Sequence, residues 1–201
     1  MNDLITQDTE TQRFELAQRE AKALQTSDLL PAQYKNNLGN ILIALEYSRR
    51  LDMPPLAVMQ SIYIVNGKPG LNAQIPIAMI IRKYGQINYE LSGEGDDQSC
   101  HVWVRDPLTG EKITGSSVSI ALAKKEGWLK NSKWVSMPEQ MLKYRAASFF
   151  GRVYLADVLL GMQTIEELQD IEIDPATGEV KTITTRGVKG LRQRLGGGDE
   201  Q

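Results

Sequence analysis

Apolar residues recur at three- and four-residue steps between Thr9 and Leu24, at Phe14, Ala17, Ala21 and Leu24, which is the period of an amphipathic helix. Residues 1–8 show no such period and are expected to be a flexible N-terminus. Pro31 suits the first position of a second helix, which runs through Leu38, Ile41, Leu42 and Leu45 to about Leu51. Met53-Pro54-Pro55 stops it, and Pro55 starts a short helix to Gln60. The pattern then becomes β-like. Ile62–Val65 and Pro69–Asn72 flank Asn66-Gly67, a pair that favours a tight hairpin turn.

Ala73–Tyr84 is a strongly apolar helix closed by Gly85. Three strands are predicted after it, Gln86–Ser92, Ser99–Arg105 and Lys112–Val118, joined by the turn-rich segments GEGDD and DPLTGE. Ser119 caps a helix to Glu126, which Gly127 ends. Pro138 opens the longest late helix, to about Leu159, with Gly161 as its breaker. Thr164-x-x-Glu167 is a capping box for a final short helix. The fold class read from this order is α+β: antiparallel β-hairpins forming a small sheet, flanked by helices. Residues 9–170 form a single domain on this reading, and 171–201 a flexible charged tail.

Composition narrows the chemistry. The 201 residues include one cysteine, Cys100, and one histidine, His101, which excludes an internal disulfide framework and His-rich metal sites. The polar N-terminus does not read as a signal or transit peptide, and no apolar run approaches a membrane span, so a cytoplasmic protein is expected. There is no phosphate-binding G-x-x-x-x-G-K-[ST] loop: Asn66-Gly67-Lys68-Pro69-Gly70 continues into proline and a strand. Cys100 and His101 adjoin on one strand and point to opposite faces, so they make no nucleophile–base pair. Glu94, Asp96 and Asp97 match no calcium loop and read as a solvated hairpin tip. Binding is favoured over bond-making, with no cofactor; magnesium would only modulate a phosphate-rich complex.

The net charge of −2 conceals a division along the chain. Lys35–Arg152 carries 15 Lys/Arg against 10 Asp/Glu, whereas Asp157, Glu166, Glu167, Asp170, Glu172, Asp174 and Glu179 form an acidic stretch with no basic residue among them. Lys181, Arg186, Lys189, Arg192 and Arg194 make the tail basic again. Such asymmetry suits a basic working surface, or equally solvated helix faces. The helix from Pro138 is the most informative element. Met141, Arg145, Ser148 and Arg152 fall in one stripe, beside an apolar side of Leu142, Ala146, Phe149, Phe150 and Val153. Two arginines one above the other, with a small serine between, suit successive phosphates of an extended strand. Lys143 and Tyr144 lie to either side. Upstream, Lys130 and Lys133 run into Trp134, as in single-strand binders that combine charge with stacking, although Trp134 suits a core anchor equally. Lys68 on the first hairpin and Arg82-Lys83 at the end of the apolar helix add exposed charge.

The run ALEYSRRLDMPPLAVMQSIYIVNGKPGLNAQIPIAMIIRKYGQI, with the later KWVSMPEQMLKYRAASFFGRVYLADVLLG, resembles the RecT/Redβ family of bacteriophage single-strand annealing proteins. The first segment matches a helix, a turn at Leu51-Asp52-Met53-Pro54-Pro55, a strand pair and a helix closed by Gly and Ile. The second matches a Trp-containing approach, a Pro-Glu-x-Met start and a helix with spaced basic residues. The likeness covers roughly residues 44–169. It implies a compact core assembling into rings or helical filaments, without ATP, that holds DNA by its backbone in a basic groove. By position it implies DNA-binding roles for Lys143, Arg145 and Arg152, with Trp134 before them, and more loosely for Lys68, Arg82 and Lys83. The departures are Tyr144, which stands where the family is commonly basic, and the short region after Gln169.

The expected function is therefore ATP-independent coating of single-stranded DNA by a homo-oligomer and annealing of the complementary strand in phage recombination. The DNA-binding residues expected are Lys68, Arg82, Lys83, Lys133, Trp134, Lys143, Tyr144, Arg145, Ser148 and Arg152. Expected partners are single-stranded DNA, the annealed duplex and other copies of the chain. A partner exonuclease or a host single-strand binding protein is a further candidate, and no membrane is involved. The rival readings are a strand-protecting protein without annealing activity and a purely structural oligomer.

Overall fold

A computed structural model describes residues 2–65 and 68–170. The chain begins with α1 (Asn2–Leu24), and its backbone is helical well before the expected start at Thr9. Ala17 and Ala21 pack against α2 (Leu38–Leu51), but Phe14, expected on the same buried face, is 57% exposed. The single helix expected from Pro31 is two elements. A 3₁₀ turn, Ala32–Tyr34, is followed by Asn36 with φ 54°, and Asn37 then caps α2 by accepting the Asn40 N–H. This is the behaviour of asparagine, which tolerates the left-handed region and competes with the helix for local hydrogen bonds. Asp52, also left-handed, ends α2, and α3 (Pro55–Ser61) starts at the expected proline.

Two small sheets follow. In the first, β1 (Ile62–Val65) and β2 (Lys68–Leu71) are antiparallel, with Val65 opposite Lys68; Asn66-Gly67, the expected turn, lies outside the described residues. α4 (Gln74–Tyr84) ends at Gly85, whose φ of 79° explains the glycine. In the second sheet, β3 (Asn88–Ser92), β4 (Ser99–Arg105) and β5 (Lys112–Thr114) form antiparallel hairpins. The turn between β4 and β5 is built by Asp106, whose carboxylate accepts the Leu108 and Thr109 N–H groups. The third predicted strand is interrupted: β5 stops at Thr114, and β6 (Val118–Ser119) pairs separately with β4. At Gly115 a Cβ would meet Phe150 Cδ2 at 2.9 Å, so the chain crosses that ring where only glycine passes.

Ser119 caps α5 (Ile120–Lys125), accepting the Leu122 N–H. A 3₁₀ turn, Trp128–Lys130, and α6 (Lys133–Ser136) lead to α7 (Pro138–Tyr154), which runs across β4 and α4. The predicted helix to Leu159 breaks at Leu155, and its remainder is α8 (Ala156–Leu159). β7 (Gln163–Thr164), not foreseen from the sequence, pairs in parallel with β2, and α9 (Ile165–Asp170) closes over it. The architecture is mixed α+β. Its main core gathers Val58, Met79, Ile80, Val102, Leu142, Ala146, Phe150 and Leu155, and a smaller one lies between α1, α2 and α3. The helix across the sheet is buried around most of its girth, yet Val153, expected on the apolar side, is 64% exposed. No helix among the described residues is long and apolar enough to cross a membrane. The expected charged tail, 171–201, lies outside the described residues.

α9 lies so close to β2 that a Cβ on Gly70 would meet Leu168 Cδ1 at 2.8 Å and the Ile165 Cα at 3.3 Å. Gly70→Val must push the α9 backbone away. It is expected to cost about 1–3 kcal/mol in urea denaturation, the ordinary scale for overpacking against backbone that cannot yield.

Candidate nucleic-acid interface

The Arg145–Ser148–Arg152 stripe forms as a helical stripe, but it does not lie open. α7 turns it toward α9, where the Glu167 carboxylate occupies it. The Ser148 hydroxyl donates to Glu167 Oε1 at 2.6 Å, and the Thr164 N–H donates to Oε2 at 2.8 Å. Arg152 Nη2 lies 2.8 Å from Oε2, and Arg145 Nη1 is 4.0 Å from Oε1. The Glu167 N–H returns a bond to Thr164 Oγ1 at 3.3 Å, so the predicted capping box is present in both directions. Leu71, Pro76, Leu159 and Met162 close around the cluster.

This corrects the reading of Arg145 and Ser148 as phosphate contacts. Arg145 is 6% and Glu167 5% exposed, and the Ser148 hydroxyl is committed to the carboxylate; Arg152 reaches solvent, but with one guanidinium edge on Glu167. The acid that neutralises the stripe comes from beyond the helix. Burial would by itself raise the Glu167 carboxyl; Ser148, the Thr164 N–H and Arg152 outweigh it and hold the group below its ordinary value. Arg145 is pulled down to about 10, mainly by burial, with Glu167 opposing, and it is still charged at neutral pH. Neighbouring Glu166 goes the other way, raised by burial that the Lys133 and Arg145 charges only partly offset.

Trp134 is likewise corrected from stacking platform to anchor. It is buried, 5.4 Å between ring centroids from Trp128, which in turn takes Phe149 edge-on at 6.2 Å. The Arg145 guanidinium lies 4.1 Å over the Trp128 ring, a cation–π contact in a desolvated setting. The two tryptophans fasten the 120–136 segment to the core and turn its lysines outward: Lys124, Lys125, Lys130 and Lys133 are all exposed. Asp96, from the acidic hairpin tip, pairs with Lys124.

Arg82 and Lys83 gather where several helices end. Arg82 donates to the Asp52 carbonyl at 2.8 Å and lies 3.4 Å from its carboxylate. Lys83 donates to the Tyr154 carbonyl at 2.8 Å. Arg50, which sequence reasoning passed over, donates to the Leu160 carbonyl. A carbonyl satisfies an N–H without cancelling its charge, so Arg50 and Lys83 keep their charge in these contacts. Nothing local to α2 signals this contact, because the Leu160 carbonyl lies 110 residues further along the chain. Lys68 is half-buried on β2. Lys143 and Tyr144 are half-buried and lie toward β3 and β4: Lys143 acts on the Cys100 thiol, which burial pushes up to about 11, and Tyr144 on the Tyr89 hydroxyl, which burial pushes up to about 12. Cys100 is buried while His101 pairs with Glu90 on the other face at 3.5 Å, so the two do form no dyad. The site residues therefore divide into a buried group (Trp134, Arg145, Ser148), a half-buried one (Lys68, Lys143, Tyr144) and an exposed one (Arg82, Lys83, Lys133 and the outer edge of Arg152).

No protein-family model matches the chain, and no curated protein or solved structure matches it.

Glu167→Gln keeps an oxygen for the Thr164 N–H but removes the charge facing buried Arg145. A loss of about 2–3 kcal/mol is expected in urea denaturation at pH 7, with Arg152 discounted for its exposure. Because the folded-state value is depressed, this stabilisation is complete above the ordinary carboxyl range and is lost as pH falls through the folded value. The gap between wild type and variant should therefore close in acid. Glu166 has the opposite sign: its Oε2 is buried without a hydrogen-bond partner, and its raised value favours the folded state at low pH. Glu166→Gln should be neutral or stabilising at pH 7 by the same measurement.

Proposed function

We propose that the chain binds single-stranded DNA through the phosphate backbone and promotes its annealing to a complementary strand, as a homo-oligomer of the RecT/Redβ type and without ATP or covalent catalysis. The observation that carries this reading is the exposed run Lys124, Lys125, Lys130 and Lys133, held to the core by Trp128 and Trp134. Lysines fixed along a short rigid segment meet successive phosphates at low ordering cost and release counterions in doing so. Contacts to the backbone leave base edges free, which pairing with a second strand requires. Arg82, Lys83 and Arg50 extend the positive surface, and Lys68, Lys143 and Tyr144 are subsidiary contacts. Side-by-side assembly is supported by β1, one of the two edges of its sheet among the described residues, where Tyr63 and Ile64 are both exposed.

Fluorescence anisotropy of a labelled oligonucleotide, followed by addition of its complement at two salt concentrations, tests the reading. Salt-sensitive binding and faster duplex formation are expected. Binding that blocks pairing would favour the strand-protecting alternative, and no binding would overturn the proposal. Lys125→Ala with Lys133→Ala should weaken binding about tenfold and reduce the slope of log K against log salt by about 1.4, the single-strand value for two lost phosphate contacts.

A further inference from the structure

β4 separates two chemistries. Cys100, Val102 and Val104 are fully buried on the face that α7 covers, and Ser99, His101, Trp103 and Arg105 lie on the other. Strand register completes this second face. Asn88 and Thr114 flank Trp103, Glu90 sits beside His101, and Lys112 lies directly opposite Arg105. Among the described residues α7 is the one helix packed broadly on β4, and it covers the Cys100–Val102–Val104 face.

That face places cations beside an indole. Arg105 and Lys112 are like charges in directly opposed positions, an arrangement that destabilises a sheet. Arg105 answers with a bond to the Gly110 carbonyl at 3.3 Å. Lys112 lays its ammonium 4.6 Å over the Trp103 ring and 3.8 Å from Glu90 Oε2. The same Glu90 oxygen faces His101 at 3.5 Å, so one carboxylate serves both. The result is a partly exposed indole on a pleated surface, bordered by two cations, one of which lies over the ring.

We propose that this face is a second contact surface for single-stranded nucleic acid, with Trp103 stacking a nucleobase and Arg105 and Lys112 taking the phosphates on either side. It deepens the single-strand reading above and rests on it. On binding, the Lys112 ammonium leaves the indole for a phosphate and exposes the ring to a base. Stacking is indifferent to sequence because every base has a π face, and it suits a protein that must hold any strand. An acidic peptide would satisfy the two cations but would have no use for the indole.

The test compares an oligothymidylate with an abasic oligonucleotide of the same length. Wild type is expected to bind the base-bearing strand about tenfold more tightly. Trp103→Ala should bind both with the abasic affinity, and Trp103→Phe should retain most of the preference. Of the three tryptophans, Trp128 and Trp134 are buried, so oligothymidylate should quench wild-type tryptophan fluorescence but not that of Trp103→Phe. A base preference that survives Trp103→Ala, quenching that survives Trp103→Phe, or equal loss of both affinities would overturn the inference. Quenching by an oligoglutamate peptide equal to that by DNA would overturn it in favour of an acidic partner. Wild type that binds both strands without preference sinks this inference alone; wild type that binds neither sinks the single-strand reading as well.

Discussion

The carboxylate of Glu167 is the constraint around which the C-terminal half is organised. It accepts from Ser148 on α7 and from the Thr164 N–H at the end of β7, and it faces the guanidinium groups of Arg145 and Arg152. A buried carboxylate survives in a protein only with this degree of compensation, and here one group satisfies a helix start and neutralises a helix face together. Its position also sets how close α9 comes to β2, which is why Gly70 has no room for a side chain. The bond network thus locks three elements into one unit, and α7 is the element they share.

That lock changes what the basic residues of α7 mean. An arginine stripe read as a phosphate ladder is an internal strut, with Arg145 between Glu167 and the Trp128 ring. The surface charge is displaced to the neighbouring segment, where lysines stand outward from a turn fastened by two tryptophans. Anchoring and contacting are divided between residue types: aromatic rings and arginine hold the segment, and lysine meets solvent. This division follows from their chemistry. Guanidinium is weakly hydrated and stacks on rings, whereas an ammonium on a flexible stem stays strongly hydrated.

Much of the fold was legible in the sequence because it is set by local rules. Ser119 as a cap, Pro55 and Pro138 as helix starts, Gly85 as a stop and the Thr164–Glu167 box are each where side chain and backbone interact within a few residues. What escaped was non-local. β7 is two residues long and owes its existence to β2, far away in the chain. The burial of Arg145 depends on an acid beyond the end of α7, and a search for partners along one helix cannot find it. Trp134 left anchor and platform equally open, because a tryptophan among lysines looks the same in sequence whether the ring points in or out. Phe14 and Val153 failed for a related reason: periodicity names a face, but not whether anything is there to cover it.

The parallel pairing of Gly70 with Gln163 has a consequence for how the molecule is made. The hairpin of β1 and β2 can form as soon as it is synthesised, since its contacts are local, but its third strand is encoded almost a hundred residues later in the order of translation. Loop closure over that distance precedes any reward from the contacts it brings, which places the step late and slow. Until residues 163–168 emerge from the ribosome, the β2 edge lacks its β7 partner and Glu167 is not yet in place beside Arg145. The nascent chain therefore passes through a stage at which Arg145 has not yet met Glu167, and α9 ties the described elements together rather than decorating a finished core.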